Sequence, residues 1–495
     1  MRATTPAYEH PTTYEIFTRV WLDELSSAAG EPIDLASVPD AELDRLAGMG
    51  FDLVYLMGVW TLGDEGRRLS REMSDLREEH DRVLPGWTED DVVGSPFAVA
   101  RYAVSPAFGG DVALAALRER LRARGMRLIL DFVPNHVARD HHWVKERPGC
   151  FMRDAQGALL AGKDPYFPPW KDTAQLDVRL VGTREAIVEA LVGVAERCDG
   201  VRCDMAMLVL DEVFRKSWAS VPPASGTSDA SGASEATGEL WAEAIEAVRR
   251  AHPHFLFIAE AYWDLEWRLQ MLGFDYTYDK SFYDRLSHAS AGSVRGHLAA
   301  SPDYQRRSVR FVENHDEPRV AVVLPPDRRR AATVLVATVP GMRFFHHGQL
   351  EGRKLRAPLH LARLQAEPVD ARCLRFHEAL LAALQKPALR SGSFATLVAH
   401  GPLAEAFVAH RWDVVRPSEV ASGATPFVVV VNFSPARATC RVPLDLAGIG
   451  GRKVQIVDVL TGEARVWSGD ELLDVNRGLP VEAPAYGVHL FEVRR

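Results

Sequence analysis

Eight short apolar runs, each long enough for one strand and separated by helix-length amphipathic stretches, constrain this chain more than any other feature. They lie at residues 13–18, 51–57, 127–133, 200–204, 255–260, 274–277, 308–313 and 342–346. Apolar runs joined by helices mark a parallel sheet, because parallel neighbours need a crossover connection that also covers the sheet face. The segments between them carry the helical period, as at residues 111–124, 183–196, 240–251 and 327–339, and several open on an Asp or Thr able to cap a first turn. Eight such units predict an α/β fold closed into a (β/α)8 TIM barrel, with its reactive face at the carboxyl ends of the strands.

Three stretches break the alternation. Residues 63–94 form a charged excursion after the second strand, expected as a loop or short helix over the barrel mouth with a solvated face. Residues 135–178, rich in Pro, Gly and aromatic side chains, are expected as a small subdomain inserted after strand three. Residues 221–238 are low in complexity and expected to be flexible. After about Lys386 the rhythm turns to β-rich segments at 404–411, 427–433, 454–459 and 488–493, which predicts a C-terminal antiparallel β-sandwich covering one flank of the barrel. The expected division is a barrel at 1–134 and 179–385, an insertion at 135–178 and a β domain at 386–495.

Lys and Arg total 58 against 67 Asp and Glu, a formal net charge of −9. That balance lacks the basic excess a polyphosphate attracts, so nucleic acid is not an expected partner. No apolar run reaches membrane-spanning length and residues 1–13 hold no apolar core, so neither a membrane span nor a secretory leader is expected. Cys150, Cys198, Cys203, Cys373 and Cys440 are odd in number and include no Cys-x-x-Cys pair, which fits a reducing, cytoplasmic compartment. Cys198 and Cys203 read as parts of one strand facing opposite sides, an arrangement that cannot clamp a metal.

Site-like polar residues gather at four strand ends: DFVPNH at 131–136, GVRCD at 200–204, FIAE at 257–260 and ENHD at 313–316. Taken singly, such a carboxylate is more often a cap or a salt-bridge partner. Strands three, four, five and seven of one barrel, however, deliver their ends to the same pocket. Crowding Asp131, Asp204, Glu260 and Asp316 there costs desolvation and like-charge repulsion, a cost met mainly where pKa values are tuned. Alternation points Arg202 and Asp204 inward and Cys203 outward. The guanidinium is expected to hold Asp204 ionised, while burial and the Asp204 charge push Glu260 up. A nucleophile and an acid so separated are equipped to break a glycosidic bond with retention, Asp316 serving the oxocarbenium-like state or clamping hydroxyls. His136 and His315 could donate to hydroxyls, although a core histidine is the default for either alone. Phe97, Tyr102, Trp143, Tyr166 and Trp170 could stack on sugar faces, with core packing the commoner role for each.

The four motifs, in this order, resemble the conserved regions of the α-amylase superfamily, glycoside hydrolase family 13. TAQLD at 173–177 is similar to the short signature closing that family's inserted B domain, and YEIFTRVWL, the stretch 95–110 and PGMRFFHHGQ resemble its first, second and eighth strand regions. The resemblance implies Asp204 as nucleophile, Glu260 as general acid/base and Asp316 as transition-state stabiliser. It further implies Arg202, His136 and His315 as sugar contacts, with Asp131 and Asn135 shaping the site and Phe97 in the loop after strand two. It implies a retaining enzyme acting on α-glucosidic bonds of malto-oligosaccharides or short α-glucans, with a transglycosylase, phosphorylase or isomerase using the same intermediate as the alternative. A non-catalytic accessory barrel would lack one of the three acids, and all three are present. Calcium-bearing members use the position of Asn135 in a cation site, but the insertion offers no clear ligand set, so no cofactor is expected, with calcium as the alternative. The run Asp204-Met205-Ala206-Met207-Leu208 departs from the Ala-x-Lys-His that follows the nucleophile in many α-amylases, which argues against ordinary calcium-dependent starch cleavage. Phe97 stands for the commoner Tyr, and Arg101 for a frequent Asp.

Overall fold

The computed structural model describes residues 9–221 and 234–494, so most of the low-complexity stretch 221–238 lies outside the described residues. Eight parallel strands close into a barrel: β1 (Thr12–Phe17), β2 (Leu53–Met57), β3 (Arg127–Phe132), β4 (Gly200–Cys203), β5 (Leu256–Ala259), β6 (Tyr276–Tyr278), β7 (Ser308–Arg310) and β8 (Met342–His346). Each strand pairs with its chain neighbours and β1 closes the ring on β8, with Thr13 opposite both Leu53 and Phe344. Every apolar run of the sequence is a barrel strand, generally a residue or more shorter than the run. The trimmed residues matter: Asp204 and Glu260 stand one position beyond β4 and β5, where side chains leave the ladder and face the mouth.

The helices at Gly110–Arg122, Val181–Ala195, Leu240–Ala251 and Pro326–Thr338 fall where the helical period placed them. The charged excursion holds two helices, Asp64–Glu72 and Ser74–Val83, rather than one. Part of its charge is buried: Asp91 takes the Arg363 guanidinium on both oxygens at 2.6 and 3.0 Å. Cys198 precedes β4 instead of lying on it, because the strand begins at Gly200, and all five cysteines are free and buried.

Buried charges between the barrel strands and the surrounding helices are matched by position. Arg343 donates to the carbonyls of His10, Ala337 and Leu389, and Arg310 to Asp279, Gln305 and Pro340. Gly341, at φ 120°, lets β8 begin beside β7, since a Cβ there would meet the Ser308 carbonyl oxygen at 2.2 Å. In the insertion, His136–Ala138 pairs antiparallel with Thr173–Gln175 and brings its chain back to the barrel mouth.

Beyond the barrel, six antiparallel strands run in the order Ser393–Leu397, Phe407–Asp413, Phe427–Asn432, Val488–Arg494, Lys453–Asp458 and Ala464–Ser468. The valine run of the third strand is buried on both faces: Val428 and Val430 join Cys440, Val442 and Val481 of the facing pair Ala438–Val442 and Leu479–Ala483, while Val429 and Val431 join the core of the barrel. Trp412 seals that seam, its indole N–H donating to the Thr338 carbonyl at 2.6 Å.

Candidate active site

One guanidinium organises the mouth of the barrel. Arg202, 1 % exposed, places Nη1 2.6 Å from Asp204 Oδ1, Nη2 2.8 Å from Glu260 Oε2 and the same nitrogen 3.9 Å from Asp316 Oδ2. Phe97 and Tyr278 pack against it with their centroids 5.3 and 5.8 Å from its central carbon, so the cation is held by rings as well as by acids. Three carboxylates on β4, β5 and the loop after β7 thus converge on a span set by one planar group.

Glu260 is the carboxyl of this group whose titration moves upward, to about 7. Burial is the main cause, and the charges of Asp204 and Asp316 add to it, against the opposing pull of Arg202 and the Met205 N–H. That N–H donates to Oε2 at 2.6 Å, and the Tyr262 hydroxyl donates to Oε1 at 3.0 Å. Met205 adopts φ 41°, a left-handed conformation costly for a residue with a side chain, and it is the turn directly after Asp204 that aims the amide at Glu260.

Asp316 is tied to a buried chain of ionisable groups. His315 Nε2 lies 3.0 Å from Asp316 Oδ2, its Nδ1 lies 2.5 Å from Glu15 Oε1, and the other Glu15 oxygen lies 2.7 Å from His346 Nδ1. Burial disfavours the charged imidazole of His315, but Asp316 and Glu15 outweigh it and hold His315 well above its ordinary value. In return, His315 and Arg202 overcome the burial of Asp316 and keep its carboxyl below the usual range.

The remaining expected residues divide. Phe97 and His136 line the cavity; His136 is pushed down to about 4 by burial against the pull of Asp204, and it receives the Asn135 amide at Nδ1, which leaves Nε2 as the donor. Arg202 and His315 stand behind the acids. Asp131 does not reach the cavity, a correction to its expected place in the substrate-binding pocket: it is fully buried, and its oxygens accept from the Tyr55 hydroxyl at 2.5 Å and the Gly58 N–H at 2.6 Å. It supports the floor of the site. Tyr166 is likewise not a core residue, being 71 % exposed at the rim beside Trp263.

Asn135 does not present a cation cage. Its side-chain and main-chain oxygens both accept from Gln175 Nε2, at 3.0 and 2.8 Å, and among the described residues no cluster of His, Cys, Asp and Glu is poised to hold a metal. The residues present do not fit a calcium site there.

The cavity above the acids holds about 720 Å³. Phe97, Phe167, Trp170, Tyr262 and Trp263 give it aromatic walls, and Asp164, Asp172, Lys280 and Asp284 give it polar ones. Sequence reasoning missed Tyr262, Trp263, Lys280 and Glu15. The first two follow Glu260 closely enough to have been read as a continuation of its motif, and Trp263 and Asp264 share positive φ values of 64° and 59°. Glu15 sits inside an apolar run with no polar neighbour to mark it.

Three acids around one buried arginine at the carboxyl mouth of a (β/α)8 barrel fit the resemblance drawn from the four sequence motifs. The family model described as alpha amylase, catalytic domain, matches residues 41–153. An α-1,4-glucan:maltose-1-phosphate maltosyltransferase of Arcanobacterium haemolyticum is 24 % identical over 487 residues, 92 % of this chain and 64 % of that one. The enzyme of that name from Burkholderia pseudomallei is 26 % identical over 321 residues, 61 % of this chain and 24 % of that one, and the α-amylase MalA of Haloarcula japonica is 23 % identical over 363 residues, 71 % and 46 %. The chain spans between about a quarter and two thirds of the length of these curated relatives. Among solved structures, a maltogenic α-amylase, AmyB, of Thermotoga neapolitana superposes with a TM-score of 0.69 at 19 % identity, covering 98 % of this chain and 99 % of that one, which shows the common fold. By these matches the chain is similar to α-amylase proteins, over residues 41–153 for the catalytic-domain model and over its whole fold for the solved structures.

Proposed function

We propose that the protein is a retaining enzyme acting on α-glucosidic bonds of malto-oligosaccharides or short α-glucans through a covalent glycosyl-enzyme. The observation that carries this reading is the Arg202 guanidinium shared by Asp204 and Glu260, which holds a nucleophile and a proton donor side by side at the cavity floor. In the first step Asp204 Oδ attacks the anomeric carbon as its bond to the leaving oxygen breaks, and the Glu260 carboxyl transfers its proton to that oxygen. The positive charge spread over the anomeric carbon and ring oxygen is balanced by Asp316, which His315 keeps ionised. In the second step the Glu260 carboxylate takes a proton from the incoming hydroxyl as its oxygen displaces Asp204, and the anomeric configuration is restored.

The incoming group decides between hydrolysis and transfer. Transfer is the second reading, favoured by the maltosyltransferase names of the relatives in Arcanobacterium haemolyticum and Burkholderia pseudomallei. It takes the same three acids, with a sugar hydroxyl or phosphate oxygen replacing water. The buried free thiols support a reducing, cytoplasmic setting, and among the described residues no helix is long and apolar enough to cross a membrane. Incubation with maltose, maltotriose, trehalose, sucrose and glycogen, with and without phosphate, followed by chromatography of the products, tests the reading. Shortened oligosaccharides or new transfer products of α configuration are expected; no turnover of any of these substrates refutes it.

A further inference from the structure

The buried Glu15 on β1 is not one of the three acids, yet it holds the histidine that touches one of them. Its side chain has no exposure, and its two oxygens are divided between His315 Nδ1 at 2.5 Å and His346 Nδ1 at 2.7 Å. A carboxylate enclosed this fully depends on the partners that replace its water, and here both are imidazoles. The geometry points to Glu15 as a positioning residue for the proposed reaction: it fixes His315 as a doubly protonated imidazolium whose Nε2–H is directed at Asp316.

The argument rests on what each nitrogen faces. His315 has carboxylates at both ring nitrogens, so both N–H groups find acceptors only when the ring carries both protons. His346 also faces Glu15, but burial, with the Arg319 cation beside it, holds it down at about 4, so it stands against Glu15 as a neutral ring. The other ionisable groups around the chain are Tyr55 from β2, Asp131 from β3, Arg202 from β4 and Tyr278 from β6. Arg202 is committed to the acids, and burial holds both phenols protonated. Asp131 acts on His315 only through its charge and Glu313 is paired with Arg319, so Glu15 is the carboxylate in contact with His315 on the side away from the cavity. Through that ring it holds the direction of the Asp316 carboxylate.

The inference rests on the reading of Asp316 as a reaction-centre acid, but its first test does not depend on turnover. In full-length protein labelled with ¹⁵N-histidine, the His315 signals, identified by their loss in His315→Gln, should show both ring nitrogens protonated at pH 8. A neutral His315 at pH 8 overturns the proposal even if no Glu15 variant can be purified. In Glu15→Gln the carboxylate is replaced at constant shape; His315 should become neutral by pH 8, and kcat should fall by about 10-fold or more with KM nearly unchanged. Glu15→Asp should keep the imidazolium signals and recover part of kcat. Glu15→Gln with unchanged spectrum and kcat, or Glu15→Asp indistinguishable from it in both readouts, would overturn the proposal. Full activity of Asp204→Asn would count against the reaction reading alone and leave the histidine spectra interpretable.

Discussion

On the proposed reading, replacing Glu260 by Gln removes the proton that the departing oxygen receives while keeping the shape of the site. A glutamate at its ordinary value of 4.5 would be protonated in roughly one molecule in three hundred at pH 7. Raised to about 7, Glu260 holds its proton in about half of the molecules, so the enclosure supplies about two orders of magnitude in active acid. Glu260→Gln should lower kcat/KM on maltotriose by about 10²–10⁴-fold, whereas 2,4-dinitrophenyl α-maltoside, whose leaving group departs without a proton, should lose little in its first step. The pH profile provides an internal control. Wild-type kcat/KM on maltotriose should fall as pH rises through about 7, and the variant should lack that limb. Stability has a definite sign as well. A carboxyl whose native titration lies above its unfolded one makes the folded state less favourable as pH climbs from about 4.5 to about 7, so the variant should gain Tm relative to wild type at pH 8 but not at pH 4. Equal losses on both substrates, or an alkaline limb preserved in the variant, would refute the assignment of Glu260 as the acid.

Asp204→Asn should abolish turnover on every substrate, by at least about 10⁴-fold in kcat, with Tm unchanged or slightly raised; measurable wild-type turnover removes Asp204 as nucleophile. Tyr262→Phe takes away a donor to Glu260 Oε1, which destabilises the carboxylate form, so the alkaline limb should move to higher pH while kcat falls several-fold; an unmoved limb would show that the hydroxyl plays no part in the titration. Trp412→Ala empties the seam between barrel and sheet and orphans the Thr338 carbonyl, and should cost about 3–5 kcal/mol in chemical denaturation without altering KM; a loss below about 1 kcal/mol would mean the seam carries little of the stability.

The barrel was legible because its signal is redundant: eight apolar runs each independently demand a crossover, and closure at β1 and β8 needs no further information. What pattern could not supply was the ends. The strand at residues 274–277 is Tyr276–Tyr278, since a run ends where backbone pairing ends and not where apolar residues do. In the C-terminal region, Ser393–Leu397, Ala438–Val442, Ala464–Ser468 and Leu479–Ala483 went unread. Each has a mixed or one-sided apolar pattern, which a five-residue strand shares with ordinary loop sequence.

The site divides along a different line. That Asp204, Glu260 and Asp316 meet at one mouth was legible because each follows a barrel strand, whose direction fixes the end of the barrel to which the chain emerges. Asp131 follows the same rule and was placed wrongly, because the inward register that brings Arg202 to the acids carries Asp131 under Tyr55 and Gly58 instead of into the cavity. Glu15 was invisible for the complementary reason. It lies mid-strand, two positions after Thr13 on the inward face, where a sequence reader expects only packing. Its meaning exists only once β1, β7 and β8 are side by side and two histidines from the far half of the chain meet it. A charge at the mouth can be read from one strand; a charge in the barrel wall acquires its role from the closure of the ring.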